Sequence, residues 1–139
     1  MASILEKDRA FITRGELVMT LDGLARGAEW RMRVKNDMES EGAMAALREI
    51  AERSGVALEV MAFKKGLDSE SLWFEDTVSV NALENDSISR RRVKELLHGL
   101  YEKYAVESKR AYKSESLRRK KLALGKFNAV VALQINLRY

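Results

Sequence analysis

Residues 16–35 read ELVMTLDGLARGAEWRMRVK, and the secondary structure assigned to them decides the fold. The last eight, AEWRMRVK (28–35), alternate: Ala28, Trp30, Met32 and Val34 fall on one side, Glu29, Arg31, Arg33 and Lys35 on the other. Period two predicts a strand with one buried face. ELVMTL (16–21) predicts a weaker strand, and the DGLARG between them is turn chemistry, so a β-hairpin is expected. The competing reading is a single helix begun by a capping box at Thr13 and Glu16. That helix would hold Gly23 and Gly27 in its interior at about 1 kcal/mol each, and the hairpin is preferred.

Working outward, NDMESEGAMAALREIAERSG (36–55) predicts a helix over 40–54. Asp37 or Ser40 caps its start, Ala43, Leu47, Ile50 and Ala51 form its buried stripe, and Gly55 stops it. VALEVMAF (56–63) and SLWFEDTVSV (71–80) predict strands joined by the turn KKGLDSE. NDSISRRRVKELLHGLYEKY (85–104) opens a second helix, capped by Asp86 or Ser87, with Val93, Leu97, Leu100 and Tyr104 at spacings of four, three and four. Unbroken, it runs over 87–124, and its basic distal part, 105–124, overhangs the sheet. It either projects as an arm or breaks near YKSES (112–116) and folds back. KFNAVVALQINLRY (126–139) predicts a closing strand with Phe127, Ala129, Val131, Leu133, Ile135, Leu137 and Tyr139 on one face.

From residue 28 the order is therefore strand, helix, strand, strand, helix, strand, which resembles the ferredoxin-like α/β sandwich. That resemblance implies an α+β fold: an antiparallel sheet with the 40–54 and 87–124 helices on one face. Residues 1–15 are then an N-terminal arm or extra strand, and 1–139 form one domain. Leu47, Ile50, Leu58, Val60, Leu97, Leu100, Val131 and Leu133 are the expected core.

The 139 residues suffice for one buried core. Zero cysteines exclude disulfides and thiol chemistry and suit a reducing, cytoplasmic compartment. One histidine, His98, with no cysteine argues against a zinc site. The carboxylates Asp68, Glu70, Glu75 and Asp76 are read as solvated or paired with cations rather than as a metal cluster. No apolar run reaches membrane-spanning length, and the charged first residues are unlike a signal peptide. Neither a phosphate-binding glycine loop nor a nucleophile elbow occurs, so no enzyme, cofactor or metal is expected.

Charge is the informative quantity. Residues 1–86 hold 11 Lys/Arg and 17 Asp/Glu, a net of −6, and residues 87–139 hold 14 against 4, a net of +10. Arg90, Arg91 and Arg92 sit at the start of the predicted second helix, where the dipole opposes cations. Lys109, Arg110, Lys113 and the run Arg118, Arg119, Lys120 and Lys121 follow, with only Glu107 and Glu115 against them. The run is read as a helix C-terminus closed by Gly125, which favours cations by about 0.3–1 kcal/mol. On the open face of the expected sheet, Arg31, Arg33 and Lys35 would flank Trp73, an arrangement that suits phosphates and stacked bases. It is similar to the platform of RNA-recognition-motif proteins, although SLWFEDTVSV lacks that family's glycine–aromatic signature.

The expectation is thus a non-catalytic nucleic-acid-binding module that uses a basic helix and the open sheet. One alternative is a homo-oligomeric structural or assembly subunit, a ring or filament of the kind found in phage particles. Its acidic first half would dock on the basic second half of a neighbour. Another is an inhibitor that masks a partner's nucleic-acid-binding surface. The partner is nucleic acid or an acidic protein surface, with no membrane involved.

Overall fold

Thr13 decides how the pivotal stretch folds. In the computed structural model, which describes residues 11–63 and 87–139, its Oγ1 accepts the Glu16 backbone N–H at 3.0 Å. This caps a helix, α1, running Arg14–Lys35 without interruption. Leu17, Leu21, Ala25 and Ala28 are fully buried along it, and Met32 packs against the core one turn later. Spacings of four, four, three and four are a helical stripe. The alternation in 28–35 dissolves into two i, i+4 pairs: Ala28 and Met32 face inward, while Trp30 and Val34 are exposed. Asn36, at φ 51°, ends α1 in the left-handed conformation.

Asp37 then caps α2, Met38–Arg53, by accepting from Glu39 N at 3.2 Å. Gly55, at φ +74°, lets the chain leave. The expected strand 56–63 is instead two 3₁₀ turns, Ala57–Glu59 and Met61–Phe63. They are held on α1 by Arg14, which donates to Gly55 O and to Glu59 Oε1 at 2.7 Å, and by Asp22, which accepts from Ala62 N at 2.8 Å. Ser89, not Asp86 or Ser87, caps α3, Arg90–Tyr112. Helix α3 ends at Tyr112, so the chain breaks at YKSES and returns as α4, Leu117–Asn136. The 126–139 stretch lies mostly in α4 rather than in a strand, with Ala129, Val130, Leu133 and Leu137 buried.

The ferredoxin-like expectation is therefore overturned: the described residues form four helices and one short antiparallel pair, β1 (Phe11–Thr13) with β2 (Ser87–Ser89). The 71–80 strand and Trp73 lie outside the described residues. Of the expected core, Leu47, Ile50, Val60, Leu97, Leu100 and Leu133 are buried, but Val131 is only half-buried and Leu58 is 86% exposed.

The tightest packing is where α2 crosses α4. A Cβ built on Gly42 would overlap the Leu122 carbonyl, and one on Gly125 would overlap the Glu39 carbonyl. Ala46 and Ala129, one turn on from each glycine, are both buried. Gly125 is therefore no helix stop. It lies inside α4 because two backbones meet there, close enough for Cα–H···O contacts.

Candidate polyanion site at the turn between α3 and α4

Correcting one helix end reverses the electrostatics of the basic run. Arg118, Arg119, Lys120 and Lys121 occupy the first turn of α4, not the last turn of α3. Ser116 caps that turn, its Oγ accepting from Arg119 N at 3.2 Å. The helix dipole is positive here and opposes the cations instead of favouring them.

Two of the four are compensated from α2. Arg118 donates to Glu41 Oε1 at 2.7 Å and Lys121 to Glu39 Oε1 at 3.0 Å. The first turn of α2 is acidic, as its own dipole favours, and the α2–α4 crossing sets it against the basic first turn of α4. Arg119 has no carboxylate partner among the described residues, and the ammonium of Lys120 lies over the Tyr112 ring, 5.8 Å from its centre.

The last turn of α3 adds Lys109 and Arg110, and Lys113 caps it. All three are exposed and without a carboxylate partner among the described residues. Between the two helix ends lies an open cleft of about 500 Å³. Arg110, Arg118, Arg119 and Lys126 line it with the Ser116 cap, over a floor of Ala111, Leu122 and Ala123. The single acid there, Glu107, stands 3.8 Å from Lys126. Tyr112, next in sequence to Ala111, is 79% exposed.

The other expected site residues do not join this cluster. Arg90 is buried, donates to the Arg138 carbonyl at 2.9 Å and stacks on Tyr139 at 4.9 Å. Arg91 pairs with Glu95 on its own helix at 3.1 Å, and Arg92 is exposed beside it. Their end of α3 is about 30 Å from the cleft at ~1.5 Å per residue. No sheet platform carries Arg31, Arg33 and Lys35, which lie on the last turns of α1. Arg31 donates to Ser40 Oγ at 2.9 Å, Arg33 lies 3.6 Å from Glu29 Oε1, and Lys35 sits over Trp30 at 5.5 Å. His98 is exposed, 3.3 Å from Glu102.

Tyr112 and Lys126 escaped the sequence reading because a helix continued through the first and a strand through the second. Ser116, followed by a return of apolar spacing, was the available signal. The acidic partners Glu39 and Glu41 had none, since they are 82 and 77 residues from the cations they hold.

Below the cleft, Tyr104 donates its hydroxyl to Glu49 Oε2 at 2.8 Å, and Lys103 donates to Glu49 Oε1 at 3.0 Å. Burial resists ionisation of Glu49, but the hydrogen bonds from Lys103 and Tyr104 and the nearby positive charge outweigh it and hold its pKa below the usual value. Burial, then the Glu49 hydrogen bond, pushes the Tyr104 phenol well above its usual range. This network is a strut between α2 and α3.

Among the described residues no helix is long and apolar enough to cross a membrane. Comparison with protein-family models, curated protein sequences and solved structures yields no match to this chain.

Proposed function

We propose that the chain is a non-catalytic binding module that grips the phosphate backbone of a nucleic acid at the α3–α4 turn. One observation carries the reading. Lys109, Arg110, Lys113, Arg119 and Lys120 gather on the two helix ends that meet at this turn with no carboxylate partner among the described residues, and Arg110 and Arg119 of them line the cleft. Next to them the fold matches cations to the acids of α2, in Arg118–Glu41, Lys121–Glu39 and Lys103–Glu49. Unmatched like charges repel, and a polyanion relieves that repulsion while releasing its own counterions.

The test separates the free cations from the paired ones. Arg119→Glu with Lys120→Glu is expected to weaken oligonucleotide binding about equally across sequences, and to lower the magnitude of the log K against log salt slope, without lowering the denaturation midpoint, since carboxylates suit the positive end of the α4 dipole. Arg118→Glu with Lys121→Glu sets like charges against Glu41 and Glu39 and is expected to lower the midpoint as well. Fluorescence anisotropy at two salt concentrations reads both. Unchanged affinity in the Arg119/Lys120 variant would refute the site.

A second reading, self-assembly, draws on a different surface. Met19, Trp30 and Val34 are exposed along α1 on the side that also carries Gly23, which has nothing within 4 Å. Docking of acidic half on basic half is a weaker route to assembly, because Glu39, Glu41 and Glu49 already hold cations of their own chain. Light scattering across a concentration series tests it: a monomer throughout removes assembly through this face.

A further inference from the structure

Resting on the nucleic-acid reading above, we infer that the α3–α4 turn prefers single-stranded to duplex nucleic acid, with one base stacked on Tyr112 and the adjoining phosphate held by Arg110 and Arg119. Tyr112 is the last residue of α3 and is 79% exposed, whereas Ala111 beside it is buried. The buried line of α3 runs through Val93, Leu97, Leu100, Tyr104 and Ala111, so the ring has no part in the core. Its hydroxyl makes no hydrogen bond to a described residue. A large exposed ring outside the core thus follows directly in sequence on Arg110 and Ala111, which line the cleft with Arg119, and its one described ring contact is the Lys120 ammonium.

The ammonium of Lys120, 5.8 Å from the ring centre, adds a cation where a phosphate would flank a stacked base. Aromatic rings interleaved with cations form the usual surface for single strands, because every base has a π-face and stacking tolerates any sequence. In a duplex those faces are covered by neighbouring bases. A duplex therefore gains from the cations here but nothing from the ring. The ring is the element that discriminates, and the cations supply affinity common to both forms.

The experiment uses the full chain with fluorescein-labelled oligo-dT and with a dA·dT duplex of the same length, titrated at low and moderate salt. Tyr112→Ala is expected to lose about tenfold in oligo-dT affinity, within the range for removal of one stacked base. Duplex affinity and both salt slopes should stay unchanged, since no charge is removed. Tyr112→Phe keeps the ring and should bind oligo-dT as the parent does. Equal losses on both ligands, no loss on either, or a Phe variant as weak as the Ala variant would each overturn the stacking assignment while leaving the cationic site standing. A parent chain that binds neither ligand at low salt would overturn this inference together with the reading it rests on. Competition by polyglutamate as strong as by oligo-dT, unaffected by Tyr112→Ala, would likewise assign the turn to an acidic protein.

Discussion

Gly42, Gly99 and Gly125 share a residue type and a helical setting, yet they call for opposite substitutions. A Cβ on Gly99 would have nothing within 4 Å, so alanine there is expected to stabilise the fold by about 0.5–1 kcal/mol through helix propensity alone. A Cβ on Gly42 or Gly125 would meet the backbone of the facing helix, which cannot rotate away as a side chain can. Alanine at either is expected to cost about 1–3 kcal/mol or more by forcing α2 and α4 apart. Urea denaturation of the three variants checks the sign at each position, and a stabilised Gly125→Ala would refute the close crossing. Tyr104 supports a pH prediction at the same scale. Its folded-state pKa is raised above the ordinary value of 10.0. The folded state then keeps a proton that the unfolded chain gives up, so this contribution is intact below pH 10 and is lost as pH rises beyond it. Tyr104→Phe should cost about 1 kcal/mol near neutrality through the lost hydrogen bond to Glu49 and flatten the alkaline loss. An alkaline limb of unchanged steepness in that variant would remove Tyr104 as its source.

At the scale of elements, α1 is the sharpest case of a pattern that reads two ways. Leu17, Leu21, Ala25, Ala28 and Met32 stood in the sequence as a helical stripe, but AEWRMRVK also alternated without a fault over eight residues. The two glycines made a turn attractive, and propensity is a weak prior when a buried face and a good cap oppose it. Trp30→Pro tests the outcome directly. Trp30 is 46% exposed, so the substitution removes little packing, but inside α1 it deletes a helical hydrogen bond and should cost about 3 kcal/mol. A variant with parental stability and helicity by circular dichroism would restore the hairpin. The 126–139 stretch failed for a different reason. Apolar residues occupy both faces of any period, and length should have arbitrated, since 14 unbroken residues suit a helix better than a strand. The α2 assignment, by contrast, was legible: Asp37 before it, Gly55 after it, and Leu47, Ile50 and Ala51 between at one consistent period.

At the scale of the whole molecule, the division into an acidic first half and a basic second half is partly an internal matter. Glu39, Glu41 and Glu49 of α2 face Lys121, Arg118 and Lys103 across helix boundaries. Each such exposed pair contributes only about 0–1 kcal/mol to stability, but together they decide how much positive charge remains for a ligand. Glu39→Gln with Glu41→Gln should therefore release Lys121 and Arg118, tighten oligonucleotide binding at low salt and steepen the salt slope by up to about two. An unchanged slope would mean that those two cations never reach the ligand.

By itself the sequence determined the quantities that do not depend on which residues meet. These are the charge asymmetry, the absence of cysteine, the α2 helix with its cap and stop, and the gathering of Lys109, Arg110, Lys113 and the 118–121 run into one stretch of chain. Local chemistry carries such features, because caps, dipoles and periodicity act over a turn or two. Only the tertiary structure decided that the 118–121 run begins a helix instead of ending one, that half of it is already neutralised, and that Gly125 is a crossing point. The first turns on a local break, marked by the Ser116 cap, that helical spacing on both sides obscured; the other two rest on contacts between residues 77 or more apart in the chain. Periodicity shows that a residue has a buried side but not which distant backbone or carboxylate lies against it.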